Sequence, residues 1–165
     1  MKTDYSKKIA LRGLLIALAF VLSWVEMQIP YFFPIPGIKL GLTNLVVLIA
    51  LYRLSAFDAF ALNMVRILLV SFTFGNTAAL IYSAAGGMLS FIAMFVLKKY
   101  TNFSLRFVSV AGGIFHNMGQ ILVAMLVLKS IHVLWYLPFL WIGGILAGIV
   151  IGLLGEFTVK RIRFK

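Results

Sequence analysis

The stretch AALIYSAAGGMLSFIAMFVL, residues 78–97, decides the class of fold. It contains no charged side chain, and Lys98 and Lys99 follow it directly. About 20 apolar residues in an α-helix, at 1.5 Å of rise per residue, cross the roughly 30 Å hydrocarbon core of a bilayer. The stretch therefore predicts a transmembrane helix with a basic end.

The whole chain has the composition of an integral membrane protein. Of its 165 residues, 63% are hydrophobic and 12% are charged, whereas soluble domains contain about 45–50% apolar and about 25% charged residues. The second apolar segment is short, about 22 Å long by the same helical rise. We predict one all-α transmembrane domain over residues 1–165, an S-component-like bundle of six helices near 9–29, 40–54, 57–74, 78–97, 107–128 and 134–159.

The distribution of lysine and arginine predicts the orientation in the membrane. With the N-terminus in the cytoplasm, twelve of the 15 basic residues lie at cytoplasmic helix ends, and only Lys39 and Lys129 lie outside. Cytoplasmic loops carry an excess of lysine and arginine. Both termini are therefore expected in the cytoplasm, and the net charge of +11 is read as a topology signal and not as a nucleic-acid surface.

Several kinds of chemistry are excluded by missing residues. The chain has no cysteine and no phosphate-binding glycine loop, H-E-x-x-H motif or plausible serine–histidine–carboxylate set. Prenyl-diphosphate chemistry needs clustered aspartates to hold magnesium, and the chain has two aspartates, far apart in sequence. We expect no enzyme, no cofactor and no metal site.

Arg66 is the polar residue that most needs an explanation. It lies near the middle of the third segment, with Asn63 one turn earlier on the same helix face. A central arginine costs about 2.5–3.5 kcal/mol even on the lenient insertion scale, so some group must compensate its charge. Among the four acids, only Glu26 is expected to reach the outer half. Two interpretations remain: a structural Glu26–Arg66 pair, or an anionic ligand.

Other polar residues are expected at a similar depth. His116 and Gln120 share one face of the fifth helix, whereas Asn117 points about 100° away. Asn44 enters from the outside, with Lys39 above it at the rim. Interhelical hydrogen bonds, worth about 0.6 kcal/mol each, are the competing explanation. The predicted substrate-binding set is Glu26, Lys39, Asn44, Asn63, Arg66, His116 and Gln120.

The first outer loop, QIPYFFPIPGIKLG at residues 28–41, is rich in proline and aromatic residues. Proline stiffens an extended segment and prevents a regular hairpin. Tyr31, Phe32 and Phe33 are interpreted either as an interfacial aromatic belt or as a lid over an outward-facing cavity. The short second helix beside the loop favours the lid.

Small residues indicate where helices approach closely. Gly144, Gly148 and Gly152 repeat every fourth residue on the sixth helix, a pattern that allows close backbone packing. On the first helix, Gly13 and Ala17 form a second small pair near the cytoplasmic half. This face is expected to dock either inside the bundle or onto another membrane protein.

Several motifs together resemble a known family. The runs PGIKLGLTNLVVLIALY (36–52), SAAGGMLSFIAMFVLKK (83–99) and GGIFHNMGQILVA (112–124), with the helix around Arg66, resemble the bacterial Gx transporter family. That family is also labelled heptaprenyl diphosphate synthase component I and is grouped with the S components of energy-coupling factor (ECF) transporters. The resemblance implies a ligand site near the outer face. It also implies docking of Gly13 and Ala17 onto a transmembrane coupling subunit that is driven by two cytoplasmic ATPases.

Two functions follow as hypotheses. The leading one is a substrate-capture subunit of an ECF-type transporter, in the bacterial plasma membrane, for a small anionic or polar nutrient or cofactor precursor. The second is a non-catalytic membrane partner of an isoprenoid synthase, such as heptaprenyl diphosphate synthase, or of a redox assembly. The first predicts dependence on ATPase subunits, whereas the second predicts a stable complex without them.

Overall fold

The computed structural model describes residues 2–28 and 41–161. Within these ranges the chain is all-helical, and the predicted fold of six membrane helices is confirmed. Five helical segments are long and apolar enough to cross a bilayer, and α2 is the shorter sixth helix. The helices are α1 (Lys2–Gln28), α2 (Leu42–Arg53), α3 (Ala56–Phe74), α4 (Thr77–Tyr100), α5 (Leu105–Leu128) and α6 (Leu137–Arg161), with a short 3₁₀ helix at Ile131–Tyr136 before α6.

The helix ends differ from the predicted segments at two places. α1 begins at Lys2, well before the apolar segment that starts at residue 9, because a helix can continue past the hydrocarbon that its apolar part crosses. The sixth segment, predicted from residue 134, starts as the 3₁₀ helix and continues as α6 from Leu137. Pro138 lies in the first turn of α6, where a missing N–H removes no helical hydrogen bond.

The breaks between helices follow from their caps. Ser55, Asn76 and Ser104 each precede a helix, and the side-chain oxygen of each accepts a hydrogen bond from the backbone N–H three residues later. Such caps satisfy one of the free N–H groups at a helix start. α2 begins differently, at Gly41, which has a left-handed φ of 71° and no side chain to cap the helix.

The order of neighbouring helices closes a ring. α2 packs against α3, α3 against α4, α4 against α5, α5 against α6, and α6 returns to α2. α1 lies against α2 and α3. The α5–α6 contact is made by glycine: a Cβ on Gly148 would lie 2.6 Å from the Cα of Val110, and Gly113 meets the Gly144 backbone in the same way. The predicted close packing of the sixth helix is thus confirmed.

Basic side chains gather at one end of the bundle, called the basic end below. Two acids at this end are paired: Asp58 lies 2.8 Å from Arg12 across α1 and α3, and Glu156 lies 2.5 Å from Arg106 and 2.7 Å from Lys160. The Arg12–Asp58 and Arg106–Glu156 pairs join neighbouring helices at their ends, whereas the Lys160–Glu156 pair lies within α6. The described basic residues of this end are Arg12, Arg53, Lys98, Lys99, Arg106, Lys160 and Arg161.

The main apolar core fills the half of the bundle nearest the basic end. α2 contributes most of it, since every residue from Val46 to Leu51 is buried, and Ala59, Val108 and Ile151 pack around it from three other helices. α2 is only 12 residues long, about 18 Å at 1.5 Å per residue. Because its C-terminus is at the basic end, its N-terminus stops inside the membrane, and the polar residues described next lie at this level.

Candidate ligand site

The candidate site is centred on Arg66, in the middle of α3. Its side chain is buried, with 8% of the residue exposed. Nη1 donates to Oγ1 of Thr43 at 3.1 Å, and Nη2 donates to Oδ1 of Asn44 at 3.4 Å. Nη2 and Nε also donate to Oδ1 of Asn63 at 3.0 and 3.3 Å. The structure therefore brings together three of the residues predicted for the site, Asn44, Asn63 and Arg66.

Asn63 fixes the guanidinium relative to α4. Its Oδ1 accepts from Arg66, while its Nδ2 donates to the carbonyl oxygen of Gly87 at 3.0 Å. A Cβ at Gly87 would lie 3.3 Å from that Nδ2 and 2.7 Å from Cδ1 of Ile67, so the missing side chain is what lets α3 approach. Asn63 is almost fully buried, and both ends of its amide are used. Its contacts hold Arg66 in one geometry.

Thr43 is a site residue that the sequence prediction missed. It is buried in the first turn of α2, and its hydroxyl accepts from Arg66. Threonine in a membrane helix is unremarkable, because its hydroxyl can bond to the backbone of its own helix. The one sequence feature that could have indicated Thr43 as a site residue was its position next to Asn44 at the start of a short helix.

The partners of Arg66 are all neutral. Within the described parts of the chain, no carboxylate lies within 4 Å of the guanidinium, so a direct Glu26–Arg66 ion pair is absent. The Glu26 carboxylate instead accepts a hydrogen bond from the backbone N–H of Gly41. Glu26 acts on Arg66 only through a longer-range electrostatic attraction. The guanidinium is positioned by hydrogen bonds but is not neutralised by contact.

The start of α2 adds to the positive potential at this site. The free N–H groups of a helix N-terminus and the helix dipole favour negative charge. In many transporters, helices that start within the membrane point such ends at anionic groups of the substrate. Arg66 contacts α2 at its first turn, through Thr43 and Asn44. The arrangement suits a carboxylate or a phosphate group.

His116 and Gln120 approach from α5 and are both half-buried. The imidazole of His116 packs on α4, where a Cβ at Gly86 would lie 3.0 Å from its Cε1. Gly86 is adjacent to Gly87, the partner of Asn63, so His116 and Asn63 contact consecutive residues of α4. A role of His116 or Gln120 in ligand binding stays a prediction.

Asn117, which the sequence left without a role, has a structural one. Its Nδ2 donates to the carbonyl oxygen of Leu140 at 2.5 Å, and the residue is buried. A Cβ at Gly144 would lie 2.9 Å from the same Nδ2. Asn117 therefore ties α5 to α6 beside the glycine contact, on a different face from His116.

Other predicted residues lie outside the described ranges, and no metal group is found within them. Lys39 and the aromatic residues Tyr31, Phe32 and Phe33 belong to residues 29–40. In the ranges 2–28 and 41–161, no group of histidine, aspartate and glutamate is placed to hold a metal ion.

The predicted docking pair on α1 faces outward. Gly13 and Ala17 are both exposed, and no atom lies within 4 Å of a Cβ placed on Gly13. Leu14 and Leu18 beside them are also exposed. The pair is thus exposed among the described residues, and its docking onto another membrane protein stays a prediction.

The comparison with known families identifies the chain. A family model described as heptaprenyl diphosphate synthase component I matches residues 15–158. The chain belongs to this family. The residues that contact Arg66 lie within the matched range, and so does Ala17. Gly13 precedes this range. Comparisons with curated proteins and with solved structures give no match.

Proposed function

We propose that this component I family member is a membrane subunit that captures a small anion at Arg66 and hands it to a transport complex. The observation that carries the proposal is a buried arginine whose contacts are all neutral. A charge inside a bilayer is costly and usually marks a functional site. Here the guanidinium is held in place by Thr43, Asn44 and Asn63 while its charge is left for another group.

The hydrogen bonds of Arg66 leave one N–H donor for a ligand. A guanidinium has five N–H donors, and among the described residues four donor bonds are made. One N–H of Nη1 is left to donate to a bound anion. Since the guanidinium of Arg66 is already oriented by these bonds, its side chain loses little conformational freedom when the anion binds. Arg66 would neutralise the ligand, and Asn44, Lys39, His116 and Gln120 would orient or attract it.

The proposed orientation puts the basic end in the cytoplasm of a bacterial cell. The supporting observation is the excess of lysine and arginine at that end. In this orientation the ligand is proposed to reach Arg66 from outside the cell. The proposed lid consists of Tyr31, Phe32 and Phe33, which lie in the sequence between Glu26 and Gly41.

The proposed partner is an ECF-type transmembrane coupling subunit with two cytoplasmic ATPases. The exposed Gly13 and Ala17 face supports it, because small residues allow close approach of a second membrane helix. The chain itself is proposed to be non-catalytic, with energy supplied by the ATPases.

A second candidate function comes from the family description. The family description names a component of heptaprenyl diphosphate synthase, so the second candidate function is that of a non-catalytic membrane partner of such a synthase. The same α1 face would then receive the synthase partner, and Arg66 would bind an anionic group delivered by it. The two functions differ in which protein accompanies the purified chain.

The anion site is tested by replacing Arg66 with glutamine. Purified wild type should be stabilised against thermal unfolding by inorganic phosphate at constant ionic strength, and R66Q should lose affinity by about 30-fold or more, because a buried charge partner is removed. R106Q removes an arginine at the basic end and is the matched control. Equal phosphate stabilisation of R66Q and wild type would remove Arg66 from the site.

The docking face is tested with Gly13→Leu and Ala17→Leu together. Both positions are exposed, so unfolding stability should change by less than about 0.5 kcal/mol, while co-purification with the coupling subunit and ATPases should be lost. Val150→Leu, on the exposed face of α6, is the control. Normal recovery of the complex with the double variant contradicts docking through this face. Recovery of a prenyl synthase subunit in place of the ATPases supports the second function.

A further inference from the structure

We infer that the Glu26 carboxylate is an internal counter-anion of the Arg66 site, and that the anionic group of a ligand takes its place. This inference rests on the anion site proposed above and adds what occupies that site before the ligand arrives. It also defines the ligand group as an anion that can accept a hydrogen bond from the backbone N–H of Gly41.

The position of Glu26 supports this role. It lies near the end of α1 opposite the basic end and is half-buried. Its carboxylate reaches across to α2 and accepts from the N–H of Gly41, only a few residues before Thr43 and Asn44, which hold Arg66. The carboxylate and the guanidinium therefore meet the same turn of α2 from two directions without touching each other.

Gly41 leaves this position open to an anion. As the residue before α2 it has no side chain to cap the helix, and its φ of 71° is unfavourable for residues with a Cβ. The Glu26 carboxylate accepts from the N–H of the N-cap residue itself, the donor that a glutamate or glutamine at the third helical position satisfies in a capping box. A carboxylate or phosphate of a ligand presents the same acceptor oxygens to the same N–H.

Two other acids have ion pairs at the basic end. Asp58 is paired with Arg12, and Glu156 with Arg106 and Lys160, all at the basic end. Glu26 has no ion-pair partner within 4 Å among the described residues, and it is the acid that attracts Arg66 at longer range. It is thus the anion available to compensate the buried arginine when no ligand is bound.

Two anions beside one cation compete. Like charges in a poorly solvated site disfavour each other, so a ligand anion near Arg66 favours departure of the Glu26 carboxylate from this position. The contact with Gly41 also joins α1 to α2. Its release frees the end of the helix whose other half carries the exposed Gly13 and Ala17 face, which connects ligand binding to the docking helix.

The test compares Glu26→Gln with Asp58→Asn in phosphate titrations followed by thermal unfolding. Glutamine keeps an acceptor oxygen for Gly41 but removes the competing charge, so E26Q should bind inorganic phosphate about tenfold more tightly than wild type. D58N removes one negative charge at the basic end and should bind as wild type does. If E26Q unfolds, Glu26→Asp, which keeps the charge but shortens the reach to Gly41, should shift affinity in the same direction by less.

The possible outcomes separate this inference from the proposed site. If wild type binds phosphate and R66Q does not, but E26Q binds equally or more weakly, Glu26 is not a displaced anion and the Arg66 site stands. Equal tightening in D58N assigns the effect to overall charge and also overturns the inference. If no variant binds phosphate, both the site and the inference fall.

Discussion

The cations of this protein are handled in two different ways at its basic end and at its centre. At the basic end, Arg12, Arg106 and Lys160 each lie within 3 Å of a carboxylate, and all three are substantially exposed. At the centre, Arg66 is buried and its contacts come from a hydroxyl and two amides. Carboxylates thus contact the cations that water already screens, at the basic end. The buried cation, Arg66, has no carboxylate in contact among the described residues.

This difference is the opposite of what stability alone would favour. Exposed ion pairs contribute about 0–1 kcal/mol, whereas an arginine in hydrocarbon needs compensation. A protein that used Arg66 only to hold α2 and α3 together would gain from a carboxylate at position 44 or 63. The neutral residues found there position the guanidinium and preserve its charge, which is the property that an anion site requires.

Among substitutions that keep Arg66, the largest effect is expected from making the centre resemble the basic end. Asn44→Asp places a carboxylate of the same size against Nη2 of Arg66 and puts an acid in the first turn of α2, where it is favoured. We expect higher thermal stability and phosphate affinity lowered by at least about tenfold, because the charge is neutralised internally. Both are measured by unfolding in a phosphate titration.

Asn44→Ser is the control for this substitution, since it shortens the side chain without adding charge. It should leave the phosphate affinity within a few-fold of wild type. Raised stability of N44D with unchanged phosphate affinity would mean that the charge of Arg66 is not used for binding, and the contrast between the two regions would then be structural only.

A smaller effect is expected from Thr43→Val, which keeps the shape of the side chain and removes the hydroxyl that accepts from Nη1. Loss of one hydrogen bond to a buried charged group should lower the free energy of unfolding by about 1–3 kcal/mol, measured by chemical denaturation in detergent. Phosphate affinity should fall less than in R66Q, because the charge remains. Thr43→Ser, which keeps the hydroxyl, should behave as wild type.

Much of the fold could be predicted from the sequence because the bilayer imposes it. Apolar runs of membrane length define the helices, and polar residues within them, such as Arg66, Asn63 and Asn44, are conspicuous because each costs free energy in hydrocarbon. The same cost identifies neither Thr43, whose hydroxyl is tolerated in any helix, nor the backbone groups of Gly41 and Gly87, which have no side-chain signature.

The hydrogen-bond partner of Glu26 could also not be predicted from the sequence. The depth of Glu26 near the outer end of α1 made a structural pair with Arg66 one of two interpretations, but its observed contact is the backbone N–H of Gly41 at the start of α2. Likewise, Asn117 is one position from His116 yet meets a carbonyl oxygen of α6. Which neighbour a polar side chain meets depends on helix rotation and tilt, and a single sequence contains no measure of either.

The most direct test of the central claim is native mass spectrometry of the gently purified protein, wild type beside R66Q. If Arg66 holds an anion, wild type should retain a small adduct that dissociates as a negatively charged species, and R66Q should lack it while keeping its folded charge-state distribution. An identical spectrum for the two proteins, with the same adduct or with none, would contradict the account.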